Sequence, residues 1–406
     1  MSVSTGFPTG ARTKERMAMA QGRDTESDLG SDLGPQQGTS GSSGGSGSVF
    51  QGLAAKTAPE SAGQGLGLGL TDEIEQSLRP RNFEEFVGQA RVVTNLRTWI
   101  EAASKRGAAL DHVLLSGPPG LGKTTLAHLV ASEMGFPLKV TSGPALERPG
   151  DLVGLLTGLQ AGDVLFVDEI HRLPRTVDEY LYAAMEDLAV DVVIDQGPAA
   201  RSVRLSVQPF TLVGATTREG LLTQPLRTRF GIAEKLAPYG VDEIREILLR
   251  SADRLGCAFE TNSADRVAER ARGVPRVANR LLRRLRDVAD LSNGGHISPE
   301  VVDTGLSMLG IDHLGLEEMD RRILGALARL GGGPAGLGTL SVAVGEEQDT
   351  LELVYEPHLI RLGFLERTPR GRVLTDAARG HLGLEGGGSG SAGSNGPARP
   401  GSLFDS

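Results

Sequence analysis

The chain has a single cysteine among its 406 residues, Cys257. That excludes an intrachain disulfide and fits a reducing compartment. It has no apolar run approaching the roughly 18 residues of a membrane span, and no hydrophobic segment near its start that reads as a secretory signal. Both absences point to the cytoplasm and away from membrane partners. Positive charge is in deficit: 42 Lys and Arg against 51 Asp and Glu leave a net charge of −9. Such a balance does not announce a nucleic-acid binder, yet binding depends on local patches, so it does not exclude one. Hydrophobic content of 39% and charged content of 23% fit a globular protein. The length allows two or three domains.

Glycine and serine are plentiful, and unevenly placed. Residues 1–70 carry runs such as Ser40–Ser48, and the tail over 384–406 repeats that composition. Neither can bury enough surface to offset chain entropy, so both are expected to be disordered. From Leu70 to Tyr239 short apolar runs alternate with helical patterns. Val113–Leu115, Lys139–Thr141, Val164–Val167 and Thr211–Val213 read as buried parallel strands, with helices on both faces of the sheet. From Val241 to Gly310 apolar residues recur at helical spacing, and Thr261 and Ser298 open helices. A third unit follows, with helices near 317–330, 337–345 and 349–362. A β-hairpin, Phe364–Arg367 turning into Arg372–Leu374, completes a winged-helix pattern. The expected organisation is a leader (1–70), a large α/β domain (71–239), a helical lid (240–310), a winged helix (311–383) and a tail (384–406).

The chemistry begins at Gly117-Pro118-Pro119-Gly120-Leu121-Gly122-Lys123-Thr124, a complete GxxxxGK[ST] phosphate loop between a strand and a helix. Its glycines let backbone N–H groups curl around phosphate oxygens at a helix N-terminus. Lys123 is placed for the β- and γ-phosphates and Thr124 for Mg²⁺, so the chain is expected to bind ATP. The strand ending in Asp168-Glu169 puts two carboxylates at the sheet edge where ligands sit. Asp168 suits the Mg²⁺ shell, and Glu169 suits polarising the attacking water. A Thr pair ends the next apolar strand, and Thr217 rather than Thr216 is chosen to orient that water. In Leu226-Arg227-Thr228-Arg229, Arg229 is the candidate cation for charge developing on the γ-phosphoryl group, with Arg227 as the alternative. Gly273-Val274-Pro275-Arg276 opens a helix from which Arg276 can reach back to the γ-phosphate. Eight arginines from Arg266 to Arg286 face one acid, Glu269, so several must be ordinary ion-paired residues.

These residues resemble the AAA+ ATPases. The strings Asp168–Leu173, Gly197–Ser202, Gly214–Arg218, Gly273–Arg280 and Arg367–Arg372 resemble the RuvB family of bacterial Holliday junction branch-migration motors. The likeness runs from about Ile74 to Leu382. It implies a P-loop AAA+ domain with a parallel sheet flanked by helices, a helical lid and a winged-helix DNA-binding domain. It implies that Leu78 and Arg79 contact the adenine end of the nucleotide, and that Gly120, Gly122, Lys123, Thr124 and Thr125 hold phosphates. Glu186, Asp187, Leu188 and Tyr239 match further nucleotide-contact positions, Leu188 standing where the family often has an aromatic. Arg229 matches a finger supplied in trans, Arg276 a second sensor, and Arg367 and Arg372 DNA-contacting positions. The resemblance further implies a homo-hexamer acting on the duplex arms of a Holliday junction, and RuvC resolvase as a further partner. It also implies a RuvA-binding hairpin within 191–208. Two other readings fit the sequence: a clamp-loader-like ATPase, and a non-catalytic winged-helix protein that uses ATP only as a ligand. Glu169 beside Asp168 argues against the second, since a pure binder needs no general base.

Overall fold

A computed structural model describes residues 76–193 and 201–384. The leader over 1–70, nearly all of the tail and the Gly197 turn of the hairpin lie outside them. The four expected strands form: β1 (Val113–Ser116), β2 (Leu138–Ser142), β3 (Val164–Asp168) and β6 (Thr211–Thr216). A fifth, β7 (Ile232–Lys235), was not expected. The order is β2-β3-β6-β1-β7, every pair parallel. Strand alternation explains the layers. Val113, Leu115, Phe166 and Val213 face one side and pack against α1 (Ala90–Arg106) and α2 (Lys123–Met134). Leu114, Leu165, Val167 and Leu212 face the other side, against α3 (Pro149–Thr157) and α4 (Arg175–Asp187).

The expectation that the segment around Lys139–Thr141 is fully buried needs correction. β2 is an outer strand, and Val140 remains 56% exposed because nothing pairs with its free edge among the described residues. The hairpin β4 (Ala189–Val193) with β5 (Ser202–Ser206) is a separate antiparallel pair, starting two residues earlier than the sequence suggested.

The helix α5 (Gln224–Thr228) precedes β7, and the lid follows it: α6 (Val241–Leu255), α7 (Thr261–Arg270), α8 (Pro275–Ser292) and α9 (Pro299–Met308). Short strands β8 (Ala258–Phe259) and β9 (His296–Ile297) pair between them. Ile244, Leu248, Leu281 and Leu285 of the lid join the same core as α1 and α2. The winged unit has a core of its own around Ile323, Leu340, Leu359 and Phe364. Its helices are α10 (Glu318–Arg329), α11 (Leu337–Val344), α12 (Gln348–Thr350) and α13 (Glu356–Arg361), the last two joined by a π-helical turn, Leu351–Tyr355. The sequence pattern had read α12, that turn and α13 as one helix. The wing strands β10 (Leu365–Thr368) and β11 (Gly371–Leu374) pair as expected, and a terminal helix α14 (Asp376–His381) follows.

Candidate active site

Because the sheet is parallel, the carboxyl ends of β1, β3 and β6 share one edge. Ser116 lies beside Thr216, and Gly117 N–H donates to the Thr216 carbonyl at 3.1 Å. The phosphate loop leaves β1 there and delivers Lys123 to the first turn of α2. Gly120 and Gly122 sit at φ +80° and +99°, conformations that side chains resist. A Cβ on Gly120 would lie 2.7 Å from Val274 and 3.1 Å from the Arg276 Cβ, so the lid closes directly over the loop. Above it opens a cleft of about 250 Å³. Leu78, Arg79, Gly120, Gly122, Lys123, Thr124, Thr125, Asp168, Glu169, Tyr239 and Arg276 all line it.

Lys123 is buried, and Nζ donates to the Gly117 and Pro118 carbonyls at 2.8 and 2.9 Å. Burial lowers the pKa of its ammonium group, with Asp168 and Glu169 opposing that shift. Glu169 occupies the left-handed region at φ +49°. Strain of this kind persists where the surroundings over-determine a residue, a frequent condition at reacting centres. Thr217 Oγ1 donates to Glu169 Oε2 at 3.1 Å, whereas Thr216 is buried and meets His171 Nδ1 at 2.9 Å. The two threonines thus face different partners. His171 Nδ1 also lies 3.2 Å from Glu169 Oε2, and desolvation lowers its pKa even though Glu169 pulls it upward. A neutral imidazole is the form that this site favours. Tyr239 donates to the Leu121 carbonyl at 3.1 Å, and burial raises the pKa of its phenol. It acts as a neutral prop under the phosphate loop.

Four residues named with the nucleotide contacts gather elsewhere. Arg229 Nη1 pairs with Glu186 at 2.5 Å, Nη2 donates to Tyr182 Oη at 2.7 Å, and the guanidinium lies over the Tyr182 ring. Asp187 pairs with Arg204 of the hairpin at 3.6 Å, and Leu188 ends α4 at φ +49°. None of these four lines the chain's own cleft. The alternative finger, Arg227, is paired with Glu219 at 3.0 Å. In the wing, Arg367 and Arg372 both clasp the fully buried Glu356, each Nε at 2.7 Å from a carboxylate oxygen. Arg372 is only 15% exposed, so it is anchored by an internal partner and differs from a freely solvated cation.

Models of three domains match in succession: the Holliday junction DNA helicase RuvB P-loop domain over 78–236, the RuvB AAA lid domain over 239–312, and the RuvB C-terminal winged helix domain over 313–383. The chain belongs to the RuvB family. It is 56% identical over 317 residues to the Holliday junction branch migration complex subunit RuvB of Prosthecochloris aestuarii, covering 78% of this chain and 92% of that one. The Chlorobium luteolum subunit of the same name is 58% identical over 306 residues, covering 75% and 89%. The solved Thermotoga maritima RuvB Holliday junction branch migration motor superposes with a TM-score of 0.70 at 49% identity, covering 76% of this chain and 99% of that one. As a RuvB-family member the chain is an AAA+ ATPase of a branch-migration motor family, which implies that it binds a nucleotide.

Several cleft residues escaped the sequence reading. Arg250 and Arg254 sit one turn apart on α6, where they look like solvated helix cations. They instead bind the segment that carries Leu78 and Arg79. Arg250 donates to the Glu85 carbonyl, and Arg254 to the Leu78 and Arg79 carbonyls and to the Glu85 carboxylate. Ser251 and Asn279 bond to each other across α6 and α8 at the cleft wall. His171 was visible only as one letter of a longer string. Charge pairs at i, i+3 and i, i+4 along the lid helices, such as Arg245 with Asp242, Arg250 with Glu246 and Arg284 with Asp287, gave no signal separating its few cleft residues from the rest.

Proposed function

We propose that this RuvB-family chain is the ATP-driven subunit of a homo-hexameric ring in the cytoplasm that pulls duplex DNA through a four-way junction held by RuvA. Labour divides among a large ATPase domain (71–239), a lid (240–310) and a DNA-binding winged helix (311–383). The observation that carries the reading is the Thr217–Glu169 hydrogen bond at the sheet edge, beside Lys123 and Asp168 in one cleft. A residue that merely binds nucleotide needs no partnered carboxylate there.

In the mechanism, Leu78, Arg79 and Tyr239 flank the base end of ATP, and the phosphate loop holds its phosphates. Glu169 accepts a proton from water while the water oxygen bonds to the γ-phosphorus. The bond from that phosphorus to the bridging oxygen breaks, and ADP leaves with the electron pair. Thr217 fixes the Glu169 carboxylate for this transfer. The Thr124 hydroxyl and the Asp168 carboxylate are hard oxygen donors in one cleft. Few protein ligands suffice for Mg²⁺, which keeps several waters and takes phosphate oxygens. Bound there, the ion would neutralise charge on the β- and γ-phosphate oxygens.

Arg229, with Glu186, Asp187 and Leu188 around it, serves the cleft of the neighbouring subunit. A head-to-tail contact of this kind closes into a ring. Arg276 reports the γ-phosphate to the lid, and the lid moves the wing. Arg367 and Arg372 hold duplex phosphates, so DNA binding is independent of sequence and weakens steeply with salt. The β4–β5 hairpin is the contact for RuvA, and RuvC resolvase joins the assembly.

The decisive experiment is branch migration of a synthetic four-way junction with ATP, with and without RuvA, for the wild type, Lys123→Ala and Glu169→Gln. Movement should require ATP, RuvA and Lys123. Glu169→Gln should still bind ATP while turnover falls on the order of 10²–10⁴-fold, the usual contribution of a general base. DNA-stimulated ATPase without junction movement would overturn the motor reading in favour of a clamp-loader-like one.

A further inference from the structure

The polar groups around the reacting centre continue past Thr217. Arg218 follows it, and its backbone N–H donates to Thr216 Oγ1 at 3.0 Å. Thr216 meets His171, and His171 meets Glu169, as described above. The Arg218 side chain turns the other way and leaves the large domain. Its Nη2 lies 2.7 Å from Asp349 Oδ1 and 3.5 Å from Glu352 Oε2, both in the winged unit. Glu352 is shared, because Oε1 lies 3.4 Å from Arg367 and 3.8 Å from Arg372. A groove between the two units is lined by Arg218, Leu221, Glu352, Pro357 and Arg367. A continuous run of polar contacts thus leads from Glu169 to both wing arginines, and Arg218 carries it from one domain to the other.

The wing is held at two joints of unequal strength. Toward the lid, Arg272 Nη2 pairs with the fully buried Asp320 at 2.6 Å, Arg272 Nε donates to the Gly315 carbonyl, and Arg361 donates to the Arg272 carbonyl. Separating that pair would strand a buried charge. Toward the large domain, Arg218 meets an Asp349 that is 69% exposed, and the ion pair has no aligned hydrogen bond at Nη2. Nη2 itself is buried, but with its partner carboxylate largely in water this pair is the weaker joint and the first to release. A lid turning against the large domain therefore keeps the wing and loosens the Arg218 contact.

We propose that Arg218 is a positioning residue that couples ATP turnover to DNA held by the wing of the same subunit. The inference rests on the motor reading given above. Phosphates that draw on Arg367 and Arg372 remove counter-charge from Glu352, and Glu352 then holds Arg218 more firmly. Arg218 adjoins Thr217, the partner of Glu169, so the change reaches the reacting carboxylate. Coupling between two bound ligands is reciprocal, so nucleotide state biases the wing by the same route.

The test is steady-state ATP turnover with and without linear duplex DNA, for the wild type, Arg218→Ala and the conservative Arg218→Lys. Arg218→Ala retains the backbone bond to Thr216. Its basal turnover should stay within about twofold, while stimulation by DNA falls about fivefold or more, the low end of ordinary site-to-site coupling. Arg218→Lys keeps a cation facing Asp349 and Glu352 and should regain stimulation. Full stimulation in Arg218→Ala overturns the inference. So does an equal loss of turnover with and without DNA that Arg218→Lys does not reverse, since that marks a merely structural residue. Wild-type turnover indifferent to DNA would sink the motor reading itself, and this inference with it.

Discussion

Gly120 has no side chain, and the nucleotide cleft depends on that. At φ +80° an alanine would be strained, and its methyl group would meet Val274 Cγ1 at 2.7 Å under the start of α8. Gly120→Ala should therefore weaken nucleotide binding about 5- to 30-fold, from a left-handed penalty of about 1–2 kcal/mol before any lid displacement. Titration with a fluorescent ATP analogue measures it, and unchanged affinity would contradict the close lid contact. At this scale much of the site was legible, because phosphate loops and strand-end acids are defined by adjacent residues. Which threonine faces Glu169 was chosen from register, and the structure places Thr217 on it with Thr216 turned to His171. Arg250 and Arg254 were not legible, because an exposed-looking helix arginine and one that grips a distant carbonyl have the same local sequence.

Among elements, the strand that escaped notice is β7. Its Ile232-Ala233-Glu234-Lys235 run carries two charges, and Glu234 is buried at the sheet edge, where Asn95 and Arg91 of α1 hold its carboxylate. That compensation comes from residues far away in sequence, so composition alone argued against a strand. The strand starts also share a titratable joint. His112 precedes β1, accepts the Leu212 N–H of β6 on Nδ1, and offers its carbonyl to Ile232 of β7. Burial lowers its pKa from 6.5 to about 4, so the folded joint holds a neutral ring. The unfolded chain then binds more protons than the folded one between those values. Stability is fully present above the unfolded pKa and is lost as pH falls toward the folded value, by about 2 kcal/mol near pH 5. Denaturant unfolding at about pH 7.5 and about pH 5 checks this, and His112→Asn should remove that part of the slope.

For the whole molecule, three domain-scale patterns in the sequence correspond to three family matches in the same order. Arg229, proposed above as the finger, sits with Glu186 and Tyr182 outside its own chain's cleft. If Arg229 acts across an interface, Arg229→Ala and Lys123→Ala should each be inactive alone yet active when mixed. Random assembly of equal amounts makes at most about a quarter of the interfaces complete, which sets the expected ATPase recovery. An inactive mixture would mean that Arg229 serves its own subunit.

Gly273 turns the chain at φ +67° between two grips. Its carbonyl is held by Tyr239 N–H on the nucleotide side, and the neighbouring Arg272 is held by Asp320 on the wing side. A Cβ there would press on the Tyr239 carbonyl at 2.7 Å, so the corner has no room to give. Lid and wing are accordingly joined at a close-packed corner beside the nucleotide cleft. If ATP turnover rotates the lid as proposed, that rotation would reach the wing tip magnified by the length of the arm beyond the corner. The stroke of such a machine is set by its geometry, while its force is set by how firmly the short end is held.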